Sequence, residues 1–324
     1  MNKHSKGFCT DIRDQNPLFP YTKKDKKLIL KELNLEEKVL NEGVQSITDW
    51  FGKQPHLSDA GFDQHFIEKL IIVSKGSVEK AKQRLDNFYK YRGLSPEFIQ
   101  EREVLQDPER KLWEVCSIFP IAKLKDGLRV HFIKFAEDLG MFDLTDLFRM
   151  GFMYADIRLR YDYWLGDIWV LDFKNISLTH IFTLRPAILQ KAAFLFQNGL
   201  NWRIQSIHVI NVNNSAFLAQ RAMDFLNQFF SSVLISRVII YDNPEDLLKH
   251  IPLEFLPEDY GGRAPNSAIL IDNVETEFKR QETIDFLLNC RTFKSDETKR
   301  PRDDNCEDNE PGTFKKSDSD SNLS

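Results

Sequence analysis

Between residues 25 and 92 the apolar positions recur every three or four residues, and no alternating stretch interrupts them. In SVEKAKQRLDNFYKYRG, residues 77–93, the side chains of Val78, Ala81, Leu85 and Phe88 fall on one helical face. Ser77 is placed to cap the first backbone N–H groups. Gly93 is expected to stop this helix, with Pro96 beyond it. The whole stretch predicts a small helical bundle.

From about residue 115 the period changes. RVHFIKF (129–135) alternates as a strand does. Leu144, Leu147, Phe148, Gly151, Phe152 and Ala155 then share one helical face. DIWVLDF (167–173) is strand-like and mostly apolar. A helix over 186–197 follows, with Pro186 in its first turn and Gly199 as its stop. SIHVIN (206–211) predicts a strand, 214–234 one long helix, and 237–241 a last strand. Strand alternating with helix implies crossover connections and a mainly parallel sheet. Strands that are apolar nearly throughout fit a sheet covered on both faces.

The helix expected over 214–234 is the most informative element. Leu218, Ala222, Phe225, Leu226, Phe229 and Val233 form one face, widened by Met223, Phe230 and Leu234; Gln220, Arg221, Asp224, Asn227, Gln228, Ser231 and Ser232 form the other. That pattern fits an ordinary amphipathic helix over a core. It also fits a lid whose ring-rich face covers a cavity and can swing toward a bilayer.

The ends read differently. Residues 1–24, with Pro17 and Pro20, are expected to be a flexible lead-in. The last 31 residues, from Lys294, hold 9 acidic and 6 basic side chains and only Phe314 and Leu323 as sizeable apolar ones. Such a tail cannot bury enough surface to fold alone. Just before it, LPEDYGG (256–262) places two glycines side by side, where φ must be positive or another backbone comes close.

Composition changes this picture at a few points. The 26 phenylalanines fit a large core or a cavity lined with rings. A net charge of −5 argues against general nucleic-acid binding. The four cysteines, Cys9, Cys116, Cys290 and Cys306, form no CxxC pair, so neither a zinc ribbon nor a redox motif is indicated. The N-terminus is polar, without the apolar core of a secretory signal. No apolar run approaches the ~20 residues of a membrane span. A cytoplasmic protein with only peripheral membrane contact is expected.

An α/β pattern of this length invites an enzymatic reading. There is no GxGxxG, no GxxxxGK[ST] and no GxSxG. The histidines do not pair as zinc ligands, and His131, His180 and His208 each stand alone near apolar segments. No catalytic residue, cofactor or metal is expected, and the balance moves from enzyme to binding protein.

At this point several segments together resemble the CRAL-TRIO lipid-binding family, in its insect α-tocopherol-transfer-protein-like and clavesin-like branch. They are SVEKAKQRLDNFYKYR with PEF at 96–98, GDIWVLDFKNISLTH (166–180) with Asp172 and His180, IHVIN (207–211) ending in Asn211, and LPEDYGG. The resemblance runs from about residue 25 to 275. It implies an α/β fold: a small all-helical N-terminal module over 25–100, then a lipid-binding domain over 110–275 with a mainly parallel sheet, an apolar cavity and a gating helix. A flexible segment 1–24 and a mostly disordered extension 276–324 flank them. Carried over by position, the cavity residues are Phe148, Phe152, Ala155, Trp169, Leu171, Leu195, Ile207, Met223, Leu226 and Phe230, and 214–234 is the gate.

The implied function is binding and transfer of a tocopherol-, retinoid- or other lipid-like molecule, with no enzymatic step. The alternative within the family is a phosphoinositide-sensing trafficking adaptor of clavesin type, in transient contact with endosomal or other membranes. Arg203 and Arg237 are placed for that phosphoinositide contact. The sequence also departs from the family. Asn211-Val212-Asn213 lacks the usual proline, Leu200-Asn201-Trp202 replaces a Phe-Pro, Val233 stands where relatives carry lysine, and LIIVSKG (70–76) replaces an arginine-rich run. In the tail, PGTFKKSDSD (311–320) resembles a short terminal motif of insect relatives, which implies docking through Phe314.

Overall fold

In the computed structural model, which describes residues 16–102, 115–137, 143–177, 180, 185–200, 202–212 and 216–301, the N-terminal region is helical as its period requires. Its helices are α1 (Lys23–Glu32), α2 (Glu37–Phe51), α3 (Gln64–Val73), α4 (Val78–Leu94) and the short α5 (Pro96–Ile99). Ser77 caps α4, its Oγ accepting from the Lys80 N–H. Gly93 does not stop that helix but lies in its last turn. The helix ends before Pro96, whose missing N–H and fixed φ cannot continue it.

The second region is a five-stranded sheet in the order β1 (Cys116–Pro120), β2 (Leu128–Phe135), β3 (Gly166–Asp172), β4 (Ile204–Ile210), β5 (Val238–Ile240). β1 runs antiparallel to β2, and all other pairs are parallel. The edge strand β1 was not evident in the alternation, because all five of its residues are buried. Between the parallel strands run α6 (Leu144–Tyr161), α7 (Pro186–Phe194) with a π-helical continuation over Leu195–Leu200, and the pair α8 (Ala216–Leu226) and α9 (Ser232–Ile235). Parallel strands laid down in sequence order, with crossovers of one hand, put every crossover helix on the same face of the sheet. The opposite face is left to segments that come later in the chain.

LPEDYGG belongs to that opposite face and does more than end an element. The Tyr260 hydroxyl donates to Asp172 Oδ2 at 2.7 Å, at the end of β3. The Tyr260 ring packs 5.2 Å from that of Phe132. Asp172 Oδ1 also accepts from Asn211 Nδ2 at 2.8 Å, and Asn211 itself has φ +58. Asp172, Asn211 and Tyr260, scattered through the sequence, thus form one hydrogen-bonded cluster. Gly261 takes φ +77, and a Cβ on Gly262 would overlap the Leu256 carbonyl. The Gly262 N–H bonds to Pro257 O at 2.9 Å and closes the turn. Gly262→Ala is therefore expected to destabilise the fold by about 1–3 kcal/mol through forced backbone movement. Urea unfolding midpoints of the two proteins check this, and an unchanged midpoint would refute it.

The described parts of both end segments, residues 16–24 and 276–301, are folded onto the rest of the protein. Within the expected flexible lead-in, Phe19 is fully buried and packs 5.6 Å from the Tyr154 ring. Asn16 Nδ2 donates to Glu277 at 2.7 Å, and Pro20 O accepts from Arg129. Within the expected disordered extension, residues 276–301 are folded. They include the end of α10 (Ser267–Lys279), all of α11 (Gln281–Asn289) and the turn Glu297–Lys299. Arg300 clasps Asp86 at 2.7 and 3.0 Å, returning the chain to α4. These segments fold on partners distant in the chain rather than alone. Phe314 and the expected docking motif lie outside the described residues.

A buried ionic array stands at the start of the parallel strands. Arg129 pairs with Asp162 at 2.6 Å, and Arg158 pairs with Asp162 at 3.0 Å and with Asp167 at 2.8 Å, all four side chains fully buried. Burial alone would raise the two carboxyl pKa values. The facing guanidiniums outweigh it and hold both below their ordinary value.

Candidate functional site

The face of the sheet turned toward the crossover helices is an apolar wall built by alternation. Register aligns Ile118, Ile133, Leu171, Val209 and Ile240 in one row across all five strands. The neighbouring row is His131, Trp169, Ile207 and Val238. Over this wall, α6 presents Leu144, Leu147, Phe148, Gly151, Phe152 and Ala155. Between the wall and the helices lies a cavity of about 410 Å³. That falls within the ~300–1,000 Å³ usual for small-molecule sites.

The chemistry of the lining is uniform. Among the described residues it holds no charged side chain, and its polar atoms come from Tyr154, Trp169, His180 and Trp202. The indole N–H groups of Trp169 and Trp202 are buried and have no hydrogen-bond partner among the described residues. His180 Nδ1 accepts from the Ser177 N–H at 3.1 Å. Phenylalanines 135, 148, 152, 173, 196, 225 and 230 contribute rings, so part of the phenylalanine excess does line a cavity.

Of the residues expected from the sequence, Phe148, Phe152, Ala155, Trp169, Leu171, Ile207, Met223, Leu226 and Phe230 all reach this lining. Leu195 does not. It begins the π-helical turn and is 2% exposed, tucked beneath Gly199, which faces Phe88 and Tyr91 of α4. The cavity stripe runs through Leu189, Ala192, Ala193, Phe196 and Leu200, and at 3.6 residues per turn Leu195 falls about 120° away from it. Gly199 does not stop the helix but lies inside the π-helical stretch.

Sequence reasoning missed Tyr154 and Trp202. Tyr154 lies three residues after Gly151, a spacing that places it beside the α6 stripe. Trp202 was legible only as a departure from a family motif.

The gate is not one helix. α8 stops at Leu226, and Ser231 starts α9 by accepting from the Leu234 N–H at 3.3 Å. Gln197, in the π-helical turn, bridges the break. Its Nε2 donates to Phe229 O at 3.1 Å, and its Oε1 accepts from the Ser231 N–H at 2.8 Å. A side chain that satisfies backbone groups freed by the break is what allows the break. Beyond it, Phe230, Leu234 and Ile235 line the cavity, while Phe229 packs on Phe225 at 5.2 Å and neither Phe229 nor Val233 reaches the lining. Leu218 and Ala222 lie outside the described side chains. Gln220, Arg221, Asp224, Asn227 and Gln228 are exposed as expected.

Gln197→Ala removes both bridging bonds. At about 0.5–1.5 kcal/mol each, their loss is expected to speed ligand release roughly tenfold. Stopped-flow displacement of a bound fluorescent lipid would measure it. An unchanged off-rate would mean the bridge does not hold the gate.

Arg203 and Arg237 precede β4 and β5, outside the cavity lining. They are close enough that burial first, and then the charge of Arg203, lower the pKa of Arg237. His131 and His208 are likewise outside the lining. Burial pushes each down to about 4. His208 Nδ1 bonds the Tyr241 hydroxyl at 2.7 Å. No group of three potential metal ligands occurs among the described residues. No described helix is long and apolar enough to cross a membrane.

A family profile described as "Pinta-like, UBA domain" matches residues 36–109, and one described as "CRAL/TRIO domain" matches residues 125–262. Clavesin-1 of Rattus norvegicus is 23% identical over 243 residues, covering 72% of this chain and 67% of that protein. The alpha-tocopherol transfer protein-like protein of Homo sapiens is 22% identical over 228 residues. That match covers 68% of this chain and 65% of the human protein, just under two thirds. A solved structure titled "Crystal structure of Sfh5" aligns at TM-score 0.38 and 12% identity, over 77% of this chain and 91% of that one. The profile match assigns residues 125–262, which hold the four parallel strands and the closing YGG turn, to the CRAL/TRIO domain family.

Proposed function

We propose that this protein is a carrier that encloses one hydrophobic molecule, of tocopherol, retinoid or other lipid type, and releases it at membranes. The observation that carries the reading is the cavity of about 410 Å³ between the sheet and the helices, whose described lining holds no charged side chain. Burying about ten methylenes at ~0.8 kcal/mol each contributes roughly 8 kcal/mol. That alone corresponds to about micromolar affinity. No bond need be made or broken, so the carrier reading calls for no catalytic group. Release follows when the gate opens against a bilayer, where its apolar face finds another partner. We place the protein in the cytoplasm, in transient membrane contact.

The adaptor reading rests on a different observation, the proximity of Arg203 and Arg237 at the start of β4 and β5. It predicts liposome binding that depends on phosphoinositide head groups and falls when both arginines are replaced. Native mass spectrometry and organic extraction of the protein from its own cells separate the two readings. A stoichiometric hydrophobic ligand supports the carrier. An empty protein that takes up no tocopherol, retinoid or phospholipid would leave the adaptor.

A further inference from the structure

We infer that the molecule enclosed, on the carrier reading above, ends in a hydroxyl group that docks beside Tyr154 and Trp169. The inference follows a chain of hydrogen positions. Asp167 is fully buried and receives Arg158 Nη2 on Oδ1 at 2.8 Å and Nη1 on Oδ2 at 3.1 Å, which keeps it a carboxylate. His131 Nε2 lies 3.3 Å from Asp167 Oδ1, too far off line for a full hydrogen bond. A nitrogen lone pair facing a carboxylate oxygen would be repelled, so Nε2 carries the proton. Burial, with Arg158 nearby, keeps the imidazole neutral, so Nδ1 holds a lone pair.

That lone pair fixes the role of its neighbour. Tyr154 Oη lies 2.8 Å from His131 Nδ1 and must donate to it. The tyrosine proton is thereby engaged, and its oxygen retains acceptor capacity. Tyr154 stands in the cavity wall. Trp169 stands in the same wall and stacks on His131 with ring centroids 4.5 Å apart. Its indole N–H is buried without a partner among the described residues. Beside His131, two residues of the wall therefore hold one acceptor and one donor not used among the described residues. A hydroxyl both donates and accepts, so it answers both. A carbonyl or ether oxygen only accepts and leaves Tyr154 unanswered.

The test titrates the full chain with compounds of one skeleton: a long polyene alcohol, the matching aldehyde and the matching hydrocarbon, read by quenching of tryptophan emission. The alcohol is expected to bind about tenfold more tightly than the aldehyde, the affinity that one unmatched buried polar atom costs. Tyr154→Phe should bring that ratio close to one while leaving hydrocarbon affinity within about twofold. Equal binding of alcohol and aldehyde, or a preference that survives Tyr154→Phe, would overturn the inference alone. Failure of all three compounds to bind would remove the carrier reading and this inference with it. Nitrogen-15 shifts of His131 provide a check that needs no variant: a proton on Nε2 is expected, and a proton on Nδ1 would overturn the assignment.

Discussion

Replacing Gly151 with phenylalanine is expected to lower ligand affinity at least a hundredfold while leaving the protein at least as stable as before. Gly151 lies in the middle of α6 and on the cavity wall. Apart from the helix's own backbone, the nearest atom to a Cβ built there is Ile118 Cδ1, 4.0 Å away. A side chain at this position meets open space, so the ring enters the cavity and displaces cargo instead of straining the core. Glycine inside a helix costs about 1 kcal/mol relative to alanine, and phenylalanine about half that, so propensity also favours the variant. The burial of a ring in otherwise vacant volume adds to the effect. Lost binding with a raised melting temperature separates an occluded cavity from a damaged fold. Undiminished uptake would mean that ligand binds elsewhere.

The second large effect concerns how the chain is held together. Asp156 is fully buried on α6 and accepts from Arg92 at 2.7 and 3.2 Å and from Arg102 at 2.8 Å. Arg92 also donates to the carbonyls of Cys290 and Phe293, at 2.9 and 3.0 Å. One carboxylate thereby joins the helical module, the sheet domain and the C-terminal segment. Asp156→Ala leaves two guanidiniums in an apolar interior, which costs about 3–5 kcal/mol. Urea unfolding should show that loss. Hydrogen exchange should show reduced protection around Cys290 and Phe293 before the sheet itself is affected. A loss below about 1 kcal/mol would show that water or a local rearrangement compensates the two arginines.

How much of this was legible in the chain varies with the range of the interaction. The helices of the N-terminal module, the strand alternation in RVHFIKF and the α6 stripe were readable, because each follows from a local period. The resemblance then placed most of the lining, including Met223 and Phe230, by position. Leu195 was carried over by position from the resemblance, whereas an ordinary helical count from Leu189, Ala192, Ala193 and Phe196, which do line the cavity, puts it on another face. The break between α8 and α9 was not readable either. It depends on Gln197, which meets the Ser231 backbone from 34 residues away.

By itself, then, the sequence determined the period of each element, and through the order of those elements it implied a mainly parallel sheet; that the crossover helices share one face follows from the strand order in space. Backbone geometry sets side-chain direction every two or 3.6 residues, and that information is local. Only the tertiary structure decided which buried positions are core and which face a void, since a cavity exists where surrounding elements stop short of touching. It alone decided that Phe19 and Arg300 are anchored, because their partners Tyr154 and Asp86 are remote in the chain. It also decided which way the Tyr154 proton points. That direction rests on Asp167, two hydrogen positions away through His131, in an interior that water does not reach to rearrange.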